Sequence, residues 1–206
     1  MNIKDLYREQ EDLAKKAILT DSFEKLDLIG GADCSYMEDS TVISGIVVIR
    51  YDTLDPVSKV YNVLKVNFPY IPGLLAYREA GAMISAYEKL EVKPDILVVD
   101  GFGTNHPRRC GIATYIGVKL DIPTIGAGKS FLCGTVLDDY VYQSGERVGK
   151  IIRSGKSKKP IYVSPGHRIS LSTSADIVMH CIKSGRLPEP TRLAHEYVTG
   201  LKSSLI

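Results

Sequence analysis

The chain has 206 residues, of which 26 are basic and 24 acidic, for a formal net charge of +2. The length suits one domain (1–206) with a proper core, and the composition is that of an ordinary soluble globular protein. The charge is too small to establish a nucleic-acid partner, no apolar stretch approaches the length of a membrane span, and the charged start "MNIKDLYREQEDLAKK" does not read as a signal peptide.

Cys34, Cys110, Cys133 and Cys181 are widely spaced with no C-x-x-C pair. That pattern speaks against structural zinc and for reduced thiols, hence a cytoplasmic location. Residues 3–18 carry Ile3, Leu6, Leu13 and Ala17 at helical spacing. "LDLIGGADCSYM" and "TVISGIVVIRYD" read as strands about the polar turn Glu38, Asp39, Ser40, and "VSKVYNVLKVNF" alternates as a third, an antiparallel meander. "LLAYREAGAMISAYEKLEV" predicts a helix, "ILVVDG" a short buried strand, "GIATYIGVKL" a helix and "IPTIGAG" another short strand. A β-rich stretch then runs to about Ile169, and "STSADIVMHCIKSG" predicts a helix with serine and threonine caps. The order implies an α/β fold whose mixed sheet joins the meander to parallel strands buried on both faces.

Three acids stand out. Asp33 lies in a strand among small residues, on the face of Ile29, Gly31 and Ser35. Asp100 ends the apolar run Ile96, Leu97, Val98, Val99, and carboxyl ends of strands are where α/β sheets collect ligands. Glu79 has Leu75 and Met83 as its i−4 and i+4 helix neighbours. Carboxylates on three separate elements could meet on one hard cation, magnesium or manganese rather than zinc. Taken singly, each has a plainer reading. Asp33 reads as a turn or strand-edge acid, Glu79 as an exposed residue or a partner of Arg78 or Lys89, and Asp100 as a cap.

Two apparent phosphate loops fail. "GFGTNH" has His106 where the dinucleotide fingerprint needs a small residue, and "PTIGAGKS" has Pro123 where a Walker loop needs glycine. Lys129 therefore reads as a surface lysine or as a group brought to a site by Gly126, Ala127 and Gly128. Pro69 and Pro72 stiffen a loop presenting Tyr70 and Ile71, either a core-packed connection or a wedge for a base stack. Seven basic residues and no acid fall between Arg147 and Arg168. They suit a solvated loop or a phosphate-following surface equally well.

Together, "GADCSY", "FPYIPGLLAYRE", "DILVVDGFGTNHPRRCGIATYIGV", "PTIGAGKS" and "KPIYVSPGHRIS", with "LPEPTRLAHEYV" toward the C-terminus, resemble the endonuclease V family. The resemblance implies a ribonuclease H-like fold with helices flanking the mixed sheet. It also implies a Mg²⁺-dependent nuclease, with Mn²⁺ as substitute, that acts as a monomer on deoxyinosine in damaged DNA, with inosine RNA to be weighed as a second substrate. The implied cut is at the second phosphodiester 3′ to the lesion, leaving 3′-hydroxyl and 5′-phosphate ends. By the same resemblance the catalytic residues are Asp33, Glu79, Asp100, His106 and Lys129, with the three acids on the metal. The strand wedge is Pro69, Tyr70, Ile71 and Pro72, and the pocket for the flipped base is Gly73, Leu75, Gly101 and Ile112. His195 stands where the family has a polar residue and is counted with the substrate-binding residues.

Such a pocket has a physical basis for selection. Hypoxanthine offers an O6 acceptor and an N1–H donor, adenine offers the reverse, and guanine differs only by a 2-amino group that close walls can exclude. Arg108 and Arg109 are candidates for phosphate contacts, with a plain surface charge as the alternative for at least one of them. Two other readings stay open: a non-catalytic nucleic-acid module, and a structure-directed or RNA nuclease on the same fold.

Overall fold

The computed structural model of the protein describes residues 2–37, 40–154, 157 and 159–205. Glu38 and Asp39 of the expected turn, and Lys156 and Lys158 of the basic stretch, lie outside the described residues.

Helix α1 (Ile3–Lys16) precedes the meander β1 (Leu28–Tyr36), β2 (Thr41–Arg50) and β3 (Pro56–Lys65). Then follow α2 (Leu75–Glu88), β4 (Ile96–Val99), α3 (Ile112–Leu120) and β5 (Thr124–Gly128). Strands β6 (Thr135–Leu137), β7 (Tyr140–Gln143), β8 (Glu146–Ile152) and β9 (Ile161–His167) account for the β-rich stretch, and α4 (Leu171–His180) and α5 (Glu189–Leu205) complete the chain. Among the described residues, one sheet runs in the order β3-β2-β1-β4-β5-β9-β8-β7-β6. Strand β1 pairs antiparallel with β2 and parallel with β4, which is parallel to β5; from β5 outward the pairing is antiparallel. The expected mixed sheet is thus the observed one.

Alternation within β4 shows why its residues are apolar throughout. Ile96 and Val98 join the core under α4 and α5, while Leu97 and Val99 join the core under α2 and α3. A strand covered on both faces has no polar side to write. Helix α2 meets the sheet through Ala76, Ala80, Met83 and Ala86, the three alanines letting it approach closely. The carboxyl ends of β1, β4 and β5 consequently open toward one end of the molecule, beside the start of α2.

Two expected helices end early. Helix α2 stops at Glu88 and α4 at His180. Beyond α4 the Cys181 carbonyl accepts the Glu189 N–H at 2.9 Å, so the chain turns there to start α5. Helix α5 itself is absent from the sequence reading, where its residues figured only in a resemblance. It lies across β1 and β2, and it reaches them through glycine: a Cβ at Gly31 would stand 2.0 Å from the Pro190 carbonyl. The basic stretch is broken into local contacts. Arg153 pairs with Asp139, Arg168 with Asp121, and the Arg147 guanidinium stacks over Tyr140 at 4.2 Å. No helix among the described residues is long and apolar enough to cross a membrane.

Replacing Gly31 by alanine should force the start of α5 off the sheet and lower stability by about 1–3 kcal/mol, the usual cost of overpacking. A urea titration that left the unfolding midpoint unchanged would show that α5 does not depend on this close approach.

Candidate active site

At that open end lies a cleft of about 410 Å³. Asp33, Glu79, Asp100, His106, Lys129 and His195 all line it, together with Tyr70, Pro72, Gly73, Leu75, Gly101 and Ile112. Of the residues singled out from the sequence, Pro69 and Ile71 are outside the lining, although they belong to the same loop, and so are Arg108 and Arg109.

The acids arrive from three elements. Asp33 sits in an interior strand and is 6% exposed, which removes the strand-edge reading. Its Oδ1 accepts the Cys34 N–H at 2.7 Å, and its Oδ2 lies 2.8 Å from Nδ1 of His195, carried in by α5. Asp100 follows β4 directly and its N–H bonds the Ala32 carbonyl across the parallel pair at 2.9 Å. Its carboxylate does not cap the next turn but accepts the Lys129 ammonium from the end of β5. Glu79 faces inward from α2 and accepts the Tyr36 hydroxyl, whereas Arg78 reaches the Phe68 carbonyl and Lys89 bonds Asn62 at 2.8 Å. Lys129 is in turn held from behind, because the Arg186 guanidinium donates to its carbonyl and to that of Pro160.

Burial and crowding of like charge dominate the electrostatics. Burial first, and the Asp33 carboxylate second, push the Asp100 carboxyl up to about 6 against the opposing pull of Lys129. Burial raises Glu79 to about 7, with Asp33 and Asp100 adding to the rise and the Tyr36 hydrogen bond opposing it. The Cys34 thiol between them is pushed well up by burial and then by Glu79, Asp33 and Asp100 in turn. Three carboxylates therefore share one small region with too little positive charge to balance them.

Among the described residues, no group of three His, Cys, Asp and Glu side chains is already arranged to hold a metal ion. The carboxylates are turned instead to Lys129, His195 and Tyr36. The donor set nevertheless fits a hard divalent cation: all-oxygen, anionic, and short of countercharge.

His106 is buried and held down to about 4, by burial and then by the Arg108 guanidinium. Its Nδ1 accepts the Arg108 N–H at 3.3 Å, which leaves the proton on Nε2, donated to the Gly73 carbonyl at 3.0 Å. It is a neutral imidazole with both nitrogens engaged. Arg108 and Arg109 also have partners within the protein. Arg108 bonds Gln10 and Gly73, while Arg109 bonds the Gln143 carbonyl and pairs with Glu146 at 2.9 Å. Tyr70 is 69% exposed, so it is not packed on the core. Its loop is anchored before the ring by Arg78 on Phe68 and after it by the bonds to Gly73, whose φ of +78° favours glycine.

Sequence reasoning passed over Gln10, Tyr36 and Arg186. For Gln10 a signal existed: it occupies the position between Leu6 and Leu13 on the buried stripe of α1, where an apolar residue belongs.

A family model described as Endonuclease V matches residues 11–196. The endonuclease V of Dictyoglomus turgidum is 43% identical over 205 residues, covering 96% of this chain and 90% of the relative. The solved endonuclease V of Streptomyces avermitilis superposes with a TM-score of 0.90 at 32% identity, over 98% of this chain and 94% of that one. The endonuclease V of Ciona intestinalis, solved in complex with a 24-mer DNA containing an inosine followed by a ribo-adenosine, superposes with a TM-score of 0.88 at 29% identity, over 99% of each chain. The mixed sheet is accordingly of the ribonuclease H-like class.

The raised carboxyls give a stability profile with a definite sign. Asp100 and Glu79 bind protons more tightly folded than unfolded, so the stability they allow is complete below 3.8 and 4.5 and is lost as pH rises through about 6 and about 7. In chelator, the protein should lose on the order of 6 kcal/mol across that window relative to Asp100→Asn with Glu79→Gln. Parallel pH profiles of urea stability for the two proteins would contradict this assignment.

Proposed function

The chain belongs to the endonuclease V family, and on that premise we propose that it is a DNA repair nuclease that extrudes deoxyinosine from a strand and hydrolyses the second phosphodiester bond on its 3′ side. The observation that carries this reading is the joining, in one cleft, of an underbalanced carboxylate cluster with a rigid loop presenting an exposed tyrosine.

Asp33 and Asp100, with Glu79 beside them, would hold a divalent cation, magnesium with manganese as a substitute, which supplies Lewis acidity toward the phosphate and makes hydroxide accessible near neutral pH. The residues of the chain do the rest. Lys129 brings an ammonium to the same place and offsets charge that builds on the phosphate. His195 holds the Asp33 carboxylate in one orientation. His106 keeps its proton on Nε2 and fixes the Gly73 carbonyl, so its part is to hold the cleft wall. The Pro69–Pro72 loop presents Tyr70 as the wedge that fills the gap left by the extruded base. Gly73, Leu75, Gly101 and Ile112 form the slot that receives the base, where main-chain groups read O6 and N1–H. The Ciona intestinalis relative, solved in complex with inosine-containing DNA, supports this class of substrate.

Matched strands carrying deoxyinosine or inosine, in DNA and RNA, with and without Mg²⁺, test the proposal. The expected result is a Mg²⁺-dependent nick leaving 3′-hydroxyl and 5′-phosphate ends, abolished in Asp100→Ala while binding survives. Binding without a nick, unchanged in Asp100→Ala, would instead identify a non-catalytic module. Tyr70→Ala should weaken lesion binding about tenfold, the order expected for one lost base stack, with metal affinity intact; a collapse of metal affinity would make Tyr70 structural.

A further inference from the structure

Gln10 is a buried polar side chain that the chemistry above leaves unused, and it is 1% exposed. Its Nε2 donates to the Gly73 and Cys110 carbonyls, each at 3.1 Å, and its Oε1 accepts from Arg108 Nε at 2.6 Å. Two carbonyls on one side and a guanidinium on the other permit only one orientation of the amide. The Gly73 carbonyl also receives His106 Nε2 at 3.0 Å and Arg108 Nη2 at 2.8 Å, three donors on a single oxygen. Arg108 itself lies over the ring of Tyr7, 3.9 Å from its centroid, so α1 grips this network twice.

The two carbonyls that Gln10 holds mark the two walls of the base slot. Gly73 stands two residues before Leu75, the first residue of α2, and Cys110 stands two residues before Ile112, the first residue of α3. Leu75 and Ile112 both line the cleft. One amide therefore bridges the starts of two helices, and the distance between them follows from its length. Buried bonds with a charged member resist displacement more than exposed ones do.

We infer that Gln10 is the positioning residue that sets the width of the base slot and, through it, the rejection of guanine. The inference rests on the reading of the cleft as a purine slot. Guanine and hypoxanthine present the same O6 and N1–H, so no hydrogen bond at those atoms separates them. Only the space available to the 2-amino group can, and a wall free to retreat by a fraction of an ångström forfeits that discrimination. Gln10 borders the cleft but is only 1% exposed, with its amide turned to Gly73, Cys110 and Arg108, so it acts through Gly73 and Cys110.

The test compares kcat/KM on single strands with deoxyinosine or deoxyguanosine at one position, which removes base-pair strength from the comparison. Gln10→Met keeps the length and loses every bond; Gln10→Glu keeps the acceptor for Arg108 and turns an oxygen toward the two carbonyls. Both should raise the deoxyguanosine-to-deoxyinosine ratio about tenfold, the scale of a lost steric contact. A merely structural Gln10 would lower both rates together and leave the ratio unchanged, which would overturn the inference. If Gln10→Met does not fold, Gln10→Glu decides alone. A wild-type protein inactive on deoxyinosine would instead overturn the slot reading, and the inference with it.

Discussion

Repulsion between buried carboxylates is the constraint around which this molecule is arranged. Asp33, within β1, and Asp100, just past β4, stand side by side where the parallel pairing of those strands ends, and Glu79 faces them from the helix above. Each would be costly to bury alone, and each worsens the position of the others. Lys129 meets part of that charge from the end of β5, and His195, on a helix at the far end of the sequence, lies within hydrogen-bond distance of Asp33. A fold that stored this much like charge for stability alone would be poorly served, since apolar residues of similar size would stabilise it better. The cluster makes sense as a site for a cation and a phosphate.

The scaffold serves that cluster in a readable way. Parallel strands covered on both faces fix where Asp33 and Asp100 emerge. Small residues on α2 bring Glu79 down to the sheet, and Gly31 lets α5 come close enough for His195 to reach Asp33. Beside the cluster, neutral His106, Arg108 and Gln10 converge on the Gly73 carbonyl, which ties the wall of the cleft at the start of α2 to α1 and to the loop after β4. The exposed Tyr70 is carried on a loop anchored at both ends, which keeps a large apolar surface in place without core packing.

Much of this was legible because the signals were local. Four apolar residues ending in Asp100 announce a buried strand with an acid at its end, and the two prolines about Tyr70 announce a stiff loop. What was not legible is tertiary. Nothing near Asp33 in the chain points to His195, whose contact depends on α5 crossing a glycine 159 positions earlier than Pro190. The plainer readings of Glu79 as a partner of Arg78 or Lys89 are likewise settled by where those side chains go, to Phe68 and Asn62. From the sequence Arg108 is a candidate for a phosphate contact. Its partners, Tyr7 and Gln10, come from the first helix and could be placed only once α1 was seen against α3. Gln10 is the instructive omission, since a polar residue within an apolar helix stripe marks a bond the core must satisfy.

The central claim is that oxygens from β1 and β4 jointly hold a divalent ion. Anomalous diffraction from crystals soaked in Mn²⁺ tests it most directly. The account predicts a peak in contact with both the Asp33 and Asp100 carboxylates, lost in Asp100→Asn. Manganese bound elsewhere, in a protein that still cleaves a deoxyinosine strand, would contradict it.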